Sequence, residues 1–216
     1  MSDIYLIRHT TPAVGKGICY GQTDLDVTES FMEEAAVIRQ HLPGGFSSVY
    51  SSPLQRCARL AAHLFPGYPV HLDPRLMEIH CGEWEMRGWD DLPKEVVGPW
   101  MNDFVRIRIP GGESYLDLHQ RVTGSFLNIC NSRLPDDRAA TAIVAHGGVI
   151  RSILSHITGT PLIDSFKVFS LHYGCVIRVY GRPEDLRYEI LSNLASGEKE
   201  QHKPKSFYSG NADRSA

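Results

Sequence analysis

Arg8 and His9 close the apolar run Ile4-Tyr5-Leu6-Ile7, and an imidazole set beside a fixed cation can attack phosphorus. Apolar, β-branched and aromatic residues bounded by turn formers read as a buried strand, and ligands in open α/β sheets gather at strand carboxyl ends. A lone Arg-His pair is more often structural than chemical, so the reading needs partners. Arg56, Glu78 and His146 supply them: a cation, a carboxyl group and a second imidazole, each beside a predicted element end or in a loop. Singly, Arg56 reads as a solvated helix residue like Arg59, Glu78 as a surface charge and His146 as a hydrogen-bonded strand-end histidine. Together they suit a phosphate monoester, whose two charges match arginine's planar fork better than lysine's point charge.

The elements that must position these groups alternate along the chain. After the first strand, residues 10 to 27 form a loop rich in Gly, Pro and Thr. A helix is expected from Thr28 or Ser30, with Phe31, Ala35, Ile38 and Leu42 on one face and Ser30 with Glu33 as a capping box, ended by Pro43-Gly44-Gly45. Ser47 to Tyr50 reads as a strand. Ser52 as N-cap and Pro53 at the first helical position then open a helix whose buried stripe is Leu54, Cys57, Ala61 and Leu64. Val70-His71-Leu72 reads as a third strand. Residues 76 to 110 are irregular with one or two helices around 88 to 105, and Gly111-Gly112-Glu113-Ser114 leads into a helix over about 114 to 133.

Thr141 to Ala145 is apolar without alternation, as in a strand buried on both faces. It ends in His146-Gly147-Gly148 and runs into the helical spacing of Val149, Ile150, Ile153, Leu154 and Ile157. Strand, glycine turn, helix is a phosphate-binding arrangement, because the free N-H groups and positive dipole end of the helix face the strand's carboxyl edge. A late hairpin joins residues 176 to 180 and 186 to 191. From about Ala195 the chain is polar and aperiodic, the composition of a disordered tail, so one domain is expected over residues 1 to 194.

Composition narrows the classes. A 216-residue chain that is 42% apolar and 22% charged suits one globular domain. Its formal charge of -3 gives no sign of a nucleic-acid surface, so an anion site must concentrate its positive charge locally. No apolar stretch is long enough for a membrane span and the start lacks a secretory pattern, which makes the cytoplasm the expected location. The 5 cysteines are odd in number and form no CxxC pair, against both a disulfide framework and a zinc site. Phosphate-loop, dinucleotide and zinc-protease motifs are missing. Ser114 in Gly112-Glu113-Ser114 precedes a helix and lacks the second glycine of a nucleophile elbow, so it reads as an N-cap or a substrate contact. His80 and Cys81 are adjacent rather than spaced for metal ligation. Neither metal nor cofactor is called for.

Five blocks in order, LIRHTTP (6 to 12), SSPLQRC (51 to 57), LMEIHCGEWE (76 to 85), GGES (111 to 114) and VAHGGVIR (144 to 151), resemble the histidine phosphatase superfamily, the phosphoglycerate-mutase-like proteins. The likeness runs from Ile4 to about Leu191. Within that family, the RHTxP form followed by GICYGQTDLDVT (17 to 28) is most similar to the alpha-ribazole phosphatases of cobalamin synthesis. Thr10 and Thr11 replace the glycine and acidic residue common after the first histidine, and Met86 stands where many members carry glycine.

The resemblance implies a three-layer α/β/α sandwich with a mostly parallel sheet and one antiparallel strand. It implies His9 as the phosphorylated nucleophile, Arg8, Arg56 and His146 with Gly147 as holders of the phosphoryl group, and Glu78 as general acid and base. Neighbouring cations should keep His9 neutral, and its other ring nitrogen needs a fixing partner that the sequence does not reveal. Glu78 must give a proton to the leaving alcohol and then take one from water. Mutases of the family read ERHYG after the acid; here the chain reads Glu78-Ile79-His80-Cys81-Gly82, which favours hydrolysis. Tyr20, Gln22, Trp84, Trp100 and Ser114 are candidates for the leaving-group side. The expected partner is a small phosphorylated metabolite, with no nucleic acid and no membrane; a homodimer is allowed but not called for. A mutase or broad sugar-phosphate phosphatase, and a catalytically silent phosphate-binding or scaffold protein, are the competing readings.

Overall fold

The computed structural model describes residues 2–132, 139–182 and 184–194. The expected polar tail from 195 onward lies outside the described residues. Six strands, β1 (Ile4–Arg8), β2 (Phe46–Ser51), β3 (Val70–Leu72), β4 (Ala140–Ala145), β5 (Val176–Arg182) and β6 (Asp185–Ser192), form one sheet in the order β3-β2-β4-β1-β5-β6. β1 and β2 each pair with β4 in parallel, as β2 does with β3. β5 pairs antiparallel with both β1 and β6, so it alone runs against the others. The mostly parallel sheet with one reversed strand is therefore present.

Every residue of β1 and β4 is buried, as their unbroken apolar runs require. Because side chains alternate along a strand, Ile4 and Leu6 join one core and Tyr5 and Ile7 the other. The second core is closed by α1 (Phe31–Arg39) and α2 (Gln55–Leu64). The first is closed by α4 (Tyr115–Ser132) and α5 (Gly147–Thr158), with Val97 and Trp100 of α3 (Lys94–Asn102). Burying one such aliphatic side chain contributes about 1.5–3 kcal/mol, which makes these two faces the main source of cohesion. A last short helix, α6 (Ser165–Val168), lies in a stretch where the sequence gives no element.

Two helix starts differ from expectation. Ser30 precedes α1 but makes no cap; its Oγ donates to Glu34 Oε1 at 2.6 Å, and Glu34 Oε2 in turn accepts from Thr11 N at 2.9 Å. The carboxylate serving that turn is Glu34 rather than Glu33, because it is the one reached by the loop after β1. α2 begins at Gln55, not Pro53, and its first N-H donates to Asp24 Oδ1 at 2.7 Å. A capping oxygen thus comes from the loop of residues 10 to 27, folded across the helix end, while Ser52 Oγ accepts from Leu54 N at 3.3 Å just ahead of the helix.

Among the described residues no helix is long and apolar enough to cross a membrane, and no group of three or more His, Cys, Asp or Glu could hold a metal ion.

Candidate active site

The parallel register pairs Arg8 with Ala145, so His9 and His146 leave adjacent strands side by side. His9 N donates to Ala145 O at 3.0 Å, and the two imidazoles meet edge to face with centroids 5.1 Å apart. His9 Nδ1 lies 2.7 Å from Thr10 O. A carbonyl can only accept, so in the neutral ring Nδ1 carries the hydrogen and Nε2 keeps its lone pair. The partner missing from the sequence is thus a backbone oxygen one residue away.

The cations are buried. Arg8 donates from Nη1 to Leu171 O at 2.7 Å and lies 4.2 Å over the Tyr173 ring. Arg56, far from being a solvated helix residue, is 0% exposed. It donates to Gly21 O at 2.6 Å and Thr23 O at 2.8 Å, while its buried Nε has no hydrogen-bond partner. Two buried guanidinium groups supply the local positive charge that a chain of net charge -3 must concentrate.

His146 is also 0% exposed, and its Nε2 shares a hydrogen with Ser52 Oγ at 2.8 Å. Cys57 Sγ approaches the same nitrogen at 3.4 Å. Burial first, then the charges of Arg56, His9 and Arg8, hold the His146 imidazole well below its ordinary range, so it is a neutral group. Burial pushes the Cys57 thiol up to about 12 against the pull of Arg56, which leaves it unreactive.

Glu78 reaches the site from its loop. Oε1 accepts from Ile79 N and Oε2 from Gly148 N, both at 2.9 Å, which places the carboxylate over the first turn of α5. Gly148 must be glycine for this: a Cβ there would stand 2.3 Å from Glu78 Oε1. At Gly147 a Cβ would meet Arg151 Nη1 at 2.9 Å and the Arg8 guanidinium carbon at 3.1 Å. The two glycines let a carboxylate and two guanidinium groups crowd one helix end.

Arg8, His9, Arg56, Glu78, Gly147 and Tyr20 line one pocket, together with Arg151 and a wall that includes Ile18, Ile79, Trp89, Trp100, Phe104, Ile109 and Phe166. Its open space is about 890 Å³, counting the solvent-exposed mouth. His146 packs behind His9 rather than on the wall. Gln22 is engaged through Nε2 with Glu78 O at 2.9 Å. Ser114 forms a reciprocal cap with Asp117, accepting from Asp117 N at 3.2 Å while its own N donates to Asp117 Oδ2 at 2.8 Å, and it does not line the pocket. Trp84 is core, 5.3 Å from Trp100 in a T-shaped contact. Sequence reasoning missed Arg151, which stands one helical turn after Gly147 and was findable on that spacing. Trp89, Phe104, Ile109 and Phe166 carried no local signal.

The profile of the histidine phosphatase superfamily (branch 1) matches residues 4–193. A Cronobacter sakazakii protein named "Probable phosphoglycerate mutase GpmB" is 33% identical over 169 residues, 74% of this chain and 77% of its own length. The adenosylcobalamin/alpha-ribazole phosphatase of Escherichia coli K12 is 27% identical over 201 residues, 90% of this chain and 97% of its own. The crystal structure of the alpha-ribazole phosphatase from Shigella flexneri superimposes with a TM-score of 0.79 at 25% identity, covering 89% of this chain and 96% of that one.

Proposed function

The chain belongs to branch 1 of the histidine phosphatase superfamily and is a phosphatase of that family, and from this premise we propose that it hydrolyses phosphate monoesters through a phosphohistidine at His9, with alpha-ribazole 5'-phosphate as preferred substrate. One observation carries the reading: Arg8, His9, Arg56 and Glu78 share a pocket, with His9 Nε2 left nucleophilic by the Thr10 carbonyl.

In the proposed reaction His9 Nε2 attacks phosphorus and the ester P-O bond breaks. Glu78 gives its proton to the departing alkoxide. Arg8 and Arg56 hold the phosphoryl oxygens, and neutral His146 steadies His9 from behind. Water then attacks the phosphohistidine and passes a proton to Glu78, and the P-N bond breaks with its electron pair returning to Nε2. Charge is handled throughout by side chains already in place.

The aromatic and aliphatic wall supports a bulky, flat, apolar alcohol such as a benzimidazole riboside, and the relatives named as alpha-ribazole phosphatases support the same choice. Ile79-His80-Cys81 in place of the mutase sequence supports hydrolysis. A second reading, a carboxylated ester such as 3-phosphoglycerate, draws on the Arg151 guanidinium at the pocket wall and on the relative named as a mutase.

Ranking kcat/KM over alpha-ribazole 5'-phosphate, phosphoserine, aryl phosphates and 3-phosphoglycerate, with isomerisation of the last assayed in parallel, separates these readings. An acid-labile, base-stable phosphoenzyme is expected in the wild type and absent in His9→Ala. Full turnover in His9→Ala, or loss of turnover on chelation, would overturn the mechanism. A tenfold preference for 3-phosphoglycerate would overturn the substrate.

A further inference from the structure

We propose that Glu85 is a positioning residue for catalysis, holding the phosphate-binding Arg56 in place through the turn of residues 21 to 23; this rests on the phosphatase reading above. The 3₁₀ turn Gly82–Trp84, anchored by buried Trp84 between Trp89 and Trp100, brings the next residue back toward the loop after β1. There Glu85 Oε1 accepts from Gln22 N at 2.8 Å and Cys81 N at 3.0 Å. Oε2 accepts from Gly21 N at 3.0 Å, Thr23 N at 3.2 Å and Thr23 Oγ1 at 2.5 Å. Three consecutive backbone N-H groups converge on one carboxylate, and both of its oxygens are used.

The outward side of the same turn faces Arg56. Gly21 O and Thr23 O take its two terminal nitrogens at 2.6 and 2.8 Å, and Gln22 Nε2 donates to Glu78 O at 2.9 Å. One carboxylate thereby orders a turn that touches both a phosphate clamp and the acid's own segment. The turn has no slack, since a Cβ on Gly21 would stand 1.8 Å from Ile79 O. Burial alone would raise the Glu85 carboxyl, yet the bonds from Thr23 and the N-H groups of Gly21, Gln22 and Cys81 hold it below the usual range, which favours the charged form that accepts all five bonds. Glutamine cannot substitute, because its NH₂ would face N-H donors at one of the two oxygen positions.

The test is a double-mutant cycle on kcat/KM with an aryl phosphate, using Glu85→Gln, Arg56→Lys and both together, alongside calorimetric binding of inorganic phosphate. Glu85→Gln should raise KM and the phosphate dissociation constant about tenfold or more, and in the Arg56→Lys background its further effect should shrink below about threefold, because coupled residues are not additive. An equal factor in both backgrounds, or phosphate binding within twofold of wild type, overturns the proposal. Thr23→Val, which removes a single donor to Oε2, should weaken phosphate binding by a few fold and be suppressed by Arg56→Lys in the same way. It decides the matter if Glu85→Gln does not fold, an additive effect there counting against. A wild type that neither binds phosphate nor turns over would fail the phosphatase reading instead, and is distinguishable from a competent wild type with an indifferent Glu85.

Discussion

Replacing Gly148 by alanine should displace Glu78, the proposed acid, and leave the fold almost untouched. The new Cβ would lie 2.3 Å from Glu78 Oε1, 3.1 Å from its carboxyl carbon and 3.3 Å from Oε2, whereas ordinary contact begins near 3.4 Å. Glu78 sits at the end of a flexible side chain, so it yields, and a retreat of about 1 Å is of the size that costs about 100-fold in rate. The stability terms largely offset one another: alanine in a helix gains about 0.5–1 kcal/mol, and a Gly148 N-H left without its carboxylate costs about 1–3 kcal/mol. The net loss is at most about 2.5 kcal/mol, so Tm should fall by no more than about 10 °C. The assay compares an alkyl phosphate, whose alkoxide needs a proton to leave, with nitrophenyl phosphate, whose leaving group does not. Gly148→Ala should lower kcat/KM about 100-fold on the alkyl ester and less than about tenfold on the aryl ester. Equal losses on both, or an alkyl rate within threefold of wild type, would refute the placement of Glu78 as proton donor.

Other expectations concern stability and reactivity. The unfolded chain protonates His146 near the ordinary value of about 6.5 while the folded chain does not. Its contribution is therefore complete above that pH and declines below it by up to about 1.4 kcal/mol per pH unit. Urea titrations at several pH values should show a shallower decline in His146→Gln, and parallel curves would contradict this. Met86 has φ 62°, a left-handed conformation costing a side-chain-bearing residue about 1–2 kcal/mol, and it is exposed. Met86→Gly should thus raise the urea midpoint by a net gain of about 0.5–1 kcal/mol, and a lowered midpoint would count against strain there. The 5 cysteines are all buried and free, so an aromatic disulfide reagent should label none of them rapidly in the native protein and all 5 after denaturation. A fast native thiol other than Cys81, which lines the pocket, would show that the structure opens locally.

Much of the candidate site was legible because it sits at element ends. Ile4–Arg8 and Ala140–Ala145 are short apolar runs, and such runs in a parallel sheet deliver whatever follows them to the carboxyl edge. His9, His146 and the glycine turn opening α5 could therefore be read along the chain. Arg56 was legible as a phosphate-binding candidate but its enclosure was not, because a helix's first turn looks solvated until another segment covers it. The Ser52 cap was only half the arrangement: Ser52 Oγ accepts from Leu54 N at 3.3 Å, but Asp24, 31 positions from Gln55, takes the helix's first N-H, and Ser52 also meets His146.

What the sequence by itself determined is the six strands and the longer helices, their order and the residue types waiting at their ends, since periodicity and turn chemistry act over a few residues. Only the tertiary structure decided which groups meet. The register of β1 against β4 set the two imidazoles 5.1 Å apart, and closure of the loop after β1 onto α2 fixed Arg56. The 3₁₀ turns Gly82–Trp84 and Trp89–Asp91 brought two indoles against Trp100 of α3, and the want of a Cβ at Gly148 admitted Glu78. Those contacts arise from packing between segments far apart in the chain, where the local pattern of neither segment names its partner.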